Sequence, residues 1–448
     1  MNESAQLAAA VCGMSGDLLT PQRLTDIRCK LLDWLGCAIG AAGEPASHRL
    51  RRTVAPEAGH GESTVFCSPA SYPLLSAAFL NGAESHILEC DDVHKTAIAH
   101  PGVIAVPSSL AVAELCGSSF GELALGIAAG YEVMIRLGSA LGPSHYDHWH
   151  TTGTCGTFAA AAAAGRLLGF RPEEMERALG LAATMAAGLV CSFKTDAKLV
   201  TVGNAVRCGI QAALLAREGL SAPAAALERP GGYGEAVSRG LDLSALTAHA
   251  PPMIDTACYK LYASCGHTHS ALDALFALLR EHPFQAGDVE RIRVSVYSKA
   301  AELVGRFQAG SAVEARFSLP YCIAAGILYG AVSVREFQPE ALSSARLADL
   351  AQRVTVQADT ALDAGYPQKR PETVRIALRD GRILEKTVLL PLGRPPYPEI
   401  EEKFLSLAGR TISREDALYI RGRVMSARPE EPVRDLINDM KGRIYHGE

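Results

Sequence analysis

A chain of 448 residues exceeds the usual span of one domain, and the length predicts two or three. Its 48% hydrophobic against 20% charged residues implies a large core with a modest surface, and a formal charge of −5 leaves no basic footprint, which argues against nucleic acid or an anionic membrane surface as partner. A small anionic substrate would then have to be gathered by local cations.

From Met1 to Met14 there is no lysine, arginine or cleavage-type signal, and no apolar run reaches bilayer-spanning length, so a soluble cytoplasmic protein is expected. Twelve cysteines lie scattered in apolar or alanine-rich surroundings with no Cys-x-x-Cys pair, the pattern of reduced thiols rather than of a disulfide framework. The first strong element follows Thr20, a capping residue, with proline at position 21 and apolar residues at helical spacing up to Gly36. Helices rich in small residues are predicted at Leu74 to Leu88, Ala105 to Cys116, Phe120 to Leu141, Phe158 to Leu168, Glu173 to Leu189, Asn204 to Glu218 and Ser270 to Leu279. Their alanines and glycines permit close helix-to-helix approach.

The texture changes near residue 281. Asp288 to Tyr297, Arg353 to Gln357 and Thr373 to Leu378 alternate apolar and polar residues as strands do, and Asp380-Gly381 before Arg382 to Val388 is a hairpin signal. The expected fold class is therefore mainly α: a large all-helical domain over residues 1–280, completed by C-terminal helices over 399–448, plus a smaller α+β lid domain over 281–398 that ends in the linker Gly393 to Pro398.

Chemistry-bearing residues concentrate in a few places. His145 to Thr154 gathers three histidines, Tyr146, Asp147 and three threonines just before the alanine-rich helix. The free N–H groups of that helix would seat a carboxylate and the histidines would move protons; in the competing reading Thr151 or Thr152 merely caps a core helix. His86 to Pro101 holds three carboxylates and three histidines, but without a metal-ligand spacing, and no metal is expected. Ser192 to Lys198 sets two lysines after an apolar run, where a desolvated amine would serve as a base and a solvated one would simply end a helix. Lys260 between Tyr259 and Tyr262, and Arg316 before Tyr321, add cations and phenols in apolar settings. With no Walker loop, dinucleotide fingerprint or nucleophile elbow, no organic cofactor is expected.

Taken in order, Asp33-Trp-Leu-Gly36, Asn81-Gly-Ala83 to Pro101, Gly130-Tyr-Glu132, the His150 loop, Lys198, Gly203-Asn-Ala205, Lys260 and Arg316 to Tyr321 resemble the MmgE/PrpD family, which includes 2-methylcitrate dehydratases, cis-aconitate decarboxylases and iminodisuccinate epimerase. The resemblance implies a homodimer, a helical domain with a lid, and a site in the cleft between them. It carries polar site roles onto Asp91, Asp92, His100, His150, Lys198, Lys260 and Tyr321. Glu89, Val93 and Thr201 depart from the decarboxylase and dehydratase pattern, and within the family the sequence looks most like iminodisuccinate epimerase. The expected activity is thus cofactor-independent epimerisation of an iminodisuccinate-like amino polycarboxylate. A dehydratase or decarboxylase of a 2-methylcitrate-like or cis-aconitate-like tricarboxylate, or a silent polycarboxylate-binding protein, is the alternative. All three reactions form or offset a carbanion beside a carboxylate. Lys198 facing His150 would be the proton-transfer pair, with Tyr146 or Tyr321 as relay and His100 positioning or exchanging a proton. Lys260, Arg316, Asp91, Asp92 and the helix start near Thr154 would hold the substrate.

Overall fold

The computed structural model describes residues 2–445 and is mainly helical. The chain divides into two compact units, Met1–Tyr259 with Pro396–Glu448, and Lys260–Pro395.

In the first unit, Thr20 accepts the amide of Arg23 and Pro21 occupies the first turn of the helix Pro21–Gly40. Leu31, Trp34, Leu35 and Ile39 of this helix are in the core. Two glycines let the C-terminal helix Tyr397–Ala408 lie along it: a Cβ on Gly40 would stand 2.7 Å from the Leu407 carbonyl oxygen, and one on Gly36 3.3 Å from the Phe404 Cα. The alanine-rich helix Thr151–Leu167 is buried from Thr151 to Gly165 and packs against Phe120–His145 on one side and Ala197–Arg217 on the other. Small side chains set that spacing, since a Cβ on Gly209 would meet the Thr157 carbonyl at 2.4 Å.

Several helices differ from their predicted spans, among them Ala197–Arg217, which starts seven residues before Asn204. Thr151–Leu167 starts seven residues before Phe158, because the polar residues that looked like a loop form its first turns. Phe120–His145 continues past Leu141 through a kink at Gly142, whose φ is 66° and which precedes Pro143. Pro172–Met185 stops short of Leu189: Ala186 turns extended, Gly188 takes φ 137°, and the Gly188 carbonyl receives the His150 amide. By length and composition Phe120–His145 and Ala197–Arg217 do suffice to cross a bilayer, contrary to the expectation from apolar runs. Within this unit both are packing helices, the first with 89% of its apolar window buried.

Glu84 lies fully buried at the end of Leu74–Ser85 with the Arg51 Nε 3.7 Å away. Burial pushes its carboxyl up to about 7 from an ordinary 4.5, against the pull of Arg51. Between pH 4.5 and 7 the folded state therefore holds a proton that the unfolded state has released, and stability falls as pH rises through that window. Glu84→Gln removes this slope and is expected to raise unfolding free energy at pH 8 by about 2–3 kcal/mol, while changing little at pH 4. Urea titrations at the two pH values measure the difference.

The second unit is built on a four-stranded sheet ordered Val354–Ala358, Val289–Val296, Glu372–Leu378, Ile383–Val388. The first pair is parallel and the other two antiparallel, with Ile292 opposite Val354 and Val294 opposite Val374. The predicted hairpin forms at Asp380-Gly381, where Gly381 has φ 90°. The helix His269–Glu281, assigned from its pattern to the helical domain, instead packs on Glu372–Leu378 and Ile383–Val388. Its amphipathic face covers the sheet, and Glu372 accepts the Ala271 amide at 2.6 Å.

Candidate active site

The polar groups of the first unit converge where three segments meet: the turn after Leu74–Ser85, the start of Thr151–Leu167 and the start of Ala197–Arg217. The turn is the loop from His86 to Pro101. Glu89 and Ile98 take positive φ values of 55° and 51°, which bend it back on itself. Backbone bridges tie Val93 to Cys258 and His94 to Ala99.

Asp91, 1% exposed, lies between two imidazoles, with the Nδ1 of His86 and of His100 each 2.9 Å from its Oδ2. Burial pushes the Asp91 carboxyl up, but the two imidazoles pull harder and leave it well below the usual carboxylate range. An ionised Asp91 accepts hydrogen bonds only, so both Nδ1 atoms carry protons toward it. The His86 ring stacks at 6.1 Å on that of His150, which caps Thr151–Leu167 through its backbone carbonyl. Burial first, then the charge of Lys198, holds the His150 imidazole well below its ordinary value and so neutral. Its Nδ1 is 2.7 Å from the Thr201 hydroxyl. Lys198, 4% exposed, makes an ion pair with Glu89, and its Nζ lies 5.6 Å from the Phe193 ring, which meets the His150 ring edge-on at 5.1 Å and the Tyr146 ring at 5.9 Å.

Of the predicted site residues, then, Asp91, His100, His150, Lys198 and Tyr146 gather in this one cluster. Three others have different duties. Both Asp92 oxygens are engaged inside the fold, Oδ1 by the Gly102 amide at 2.7 Å and Oδ2 by the Tyr131 hydroxyl at 2.6 Å with Lys30 Nζ at 3.3 Å. Asp92 shapes the loop rather than holding substrate. Thr154 is fully buried and bonds His145 Nε2 at 2.8 Å instead of facing a ligand; burial lowers that imidazole to about 4, so it too is neutral. Tyr321, fully buried, donates its hydroxyl to the Glu336 carbonyl at 2.6 Å, and burial raises its pKa. Lys260, Arg316 and Tyr321 all belong to the second unit; Lys260 and Arg316 are 1% exposed, and the Arg316 guanidinium lies over the Phe337 ring.

Sequence reasoning had not placed His86, Glu89, Phe193 or Thr201 in the site. His86 and Glu89 stand in the acidic stretch already singled out, and the signal for His86 was its position five residues before Asp91. Glu89 and Thr201 were marked as departures from the family pattern, and nothing local distinguishes Phe193.

The ligand atoms of His86, Asp91 and His100 lie within 4.8 Å of one another, near enough to share a metal ion. Their 2.9 Å contacts are those of N–H donors on a carboxylate, and His100 Nδ1 is also 2.9 Å from the Asp92 carbonyl, a second acceptor for a proton that a metal ligand would have lost. Activity is accordingly expected to survive exhaustive dialysis against a chelator, and turnover before and after dialysis measures this.

Residues 5–246 match the MmgE/PrpD N-terminal domain and residues 262–424 the MmgE/PrpD C-terminal domain. The chain is similar to cis-aconitate decarboxylase-like protein oryM of Aspergillus oryzae, 27% identical over 99% of this chain and 98% of that one. It is also similar to cis-aconitate decarboxylase of Aspergillus terreus, 27% identical over 95% and 94%, and to cis-aconitate decarboxylase of Mus musculus, 26% identical over 84% and 79%. The two domain matches together span most of the chain, in the order in which the two structural units begin, and the chain belongs to the MmgE/PrpD family.

Proposed function

We propose that this protein is a carboxy-lyase that removes CO2 from a cis-aconitate-like tricarboxylate, using only its own side chains. The observation that carries the reading is the buried assembly of ionised Asp91 between two imidazoles, beside neutral His150 and the Lys198 ammonium. When the carbon–carboxylate bond breaks, its electron pair stays on the carbon skeleton and is spread over the neighbouring double bond and carboxylate. A proton must then reach carbon, and the Lys198 ammonium gives it; neutral His150 next takes a proton from water on its free ring nitrogen and passes it to the lysine amine, which restores both groups. Ammonium and imidazole N–H groups held in a water-poor site stabilise the developing charge without reorganising.

The names of the relatives support decarboxylation over the epimerisation expected from resemblance, since each of the three is a decarboxylase or decarboxylase-like protein. Epimerisation of an iminodisuccinate-like acid would draw on the same Lys198 and His150 and stands second. The high apolar share of the sequence, together with exposed Leu115, Val200 and Leu220 on the first unit, supports action as a homodimer, and twelve scattered cysteines with no Cys-x-x-Cys pair support a cytoplasmic setting.

Incubation with cis-aconitate in deuterated water tests the assignment. The expected result is CO2 release with one solvent deuterium fixed on product carbon per CO2. Deuterium washed into iminodisuccinate without CO2 would transfer the reading to the epimerase. Water loss from a 2-methylcitrate-like acid would transfer it to a dehydratase.

A further inference from the structure

We propose that Thr201 is a positioning residue that fixes the tautomer of His150, so that Nδ1 carries the proton and Nε2 presents its lone pair to the reacting groups. The argument is one of hydrogen-bond counting. The Thr201 hydroxyl lies 2.8 Å from the Lys198 carbonyl and 2.7 Å from His150 Nδ1. A carbonyl only accepts, and a hydroxyl has a single proton to give. That proton goes to Lys198 O, so the contact with the imidazole is made by Nδ1–H donating to the Thr201 oxygen. With Nδ1 protonated on a neutral ring, the base function falls on Nε2.

The backbone holds this arrangement tightly. Thr201 sits in the second turn of Ala197–Arg217, and its own carbonyl partner is the residue that bears the catalytic amine, so one hydroxyl links the two members of the proton-transfer pair. Two glycines crowd it: a Cβ on Gly153 would lie 3.2 Å from the Thr201 Cβ and 2.7 Å from the Ala187 carbonyl, and one on Gly188 would stand 3.4 Å from the Thr201 Cβ and 3.5 Å from the His150 Cβ. The His150 amide bonds the Gly188 carbonyl at 3.0 Å, so ring and hydroxyl are fixed from both sides. The neutral state of His150 fits the same picture, because an imidazolium would carry a proton on both nitrogens and have no lone pair to offer.

The inference rests on the reading of His150 as a proton-transfer group, but its first test does not. In ¹⁵N-labelled protein, with His150 signals assigned by difference from His150→Gln, Nδ1 is expected at the protonated and Nε2 at the unprotonated position. Thr201→Val, which keeps the shape and removes the hydroxyl, is expected to mix or invert the tautomers, while Thr201→Ser retains the original. Turnover is the second readout: Thr201→Val should lose at least tenfold in kcat, with KM nearly constant and a displaced acid limb in the pH profile, and Thr201→Ser should restore all three. Unfolding curves on Val and Ser variants separate loss of fold from loss of tautomer. An Nε2-protonated His150 in the unmodified chain, or an unchanged tautomer and pH profile in a folded Thr201→Val, overturns the proposal. A tautomer shift in a chain inactive on every polycarboxylate would retain it and overturn the proposed activity instead.

Discussion

Replacing Lys198 by methionine is expected to lower kcat/KM for decarboxylation by about a thousandfold, the scale set by a positioned general acid. The same variant should also lose about 3–5 kcal/mol of stability, because Glu89, 5% exposed, is then left as a buried charge without its ammonium partner. The two effects separate in the double variant Glu89→Gln, Lys198→Met. Neutralising both partners removes the stranded charge, so most of the stability should return while activity stays lost. Urea unfolding and CO2 release on the wild type, both single variants and the double variant complete the cycle. If the double variant decarboxylates at more than a tenth of the wild-type rate, Lys198 is a structural cation and the acid must be sought elsewhere.

Much of the architecture is legible in the residues because period and composition act locally. Alternation at Thr373 to Leu378 and the Asp380-Gly381 turn need only their neighbours to become two paired strands. The first turns of Thr151–Leu167 were misread as loop for the opposite reason. Threonine and glycine are poor helix formers, and what makes Thr151 to Thr157 helical is burial among Phe120–His145 and Ala197–Arg217, a tertiary effect with no local signature. The site divides in the same way. Asp91, His100 and His150 announce themselves in runs crowded with carboxylates and imidazoles, Lys198 after an apolar run and Thr201 only as a departure from the family pattern, whereas Phe193 acquires meaning only through distance. Asp91 and Asp92 show how little a sequence position determines: they are adjacent, of the same residue type and both buried. One faces two imidazoles and the other a lysine, a tyrosine and a backbone amide. Backbone direction alone separates them, and direction is set by residues as distant as Lys30 and Tyr131.

That division of labour leads to the second large effect. Asp92 and Lys30 are 2% and 3% exposed in their side chains, and the Lys30 Nζ also lies 3.8 Å from the centre of the Tyr259 ring, so neither charge has water to fall back on. Asp92→Asn leaves the ammonium facing an amide and should cost about 3–5 kcal/mol in unfolding free energy, much more than an exposed pair would. Adding Lys30→Met to it removes the orphaned cation and should recover most of that loss, as in the Glu89–Lys198 cycle. Activity should not recover to the same degree. His100 Nδ1 is 2.9 Å from the Asp92 carbonyl, and Lys403 fixes the loop two residues earlier through the Cys90 carbonyl at 2.5 Å while pairing with Asp33 at 2.5 Å. Release at Asp92 therefore lets His100 drift while Cys90 stays pinned. The expected pattern is a fall in kcat with little change in KM. A fall in substrate affinity alone, with stability untouched, would return Asp92 to the substrate-binding role first expected for it and show that the loop needs no internal clamp.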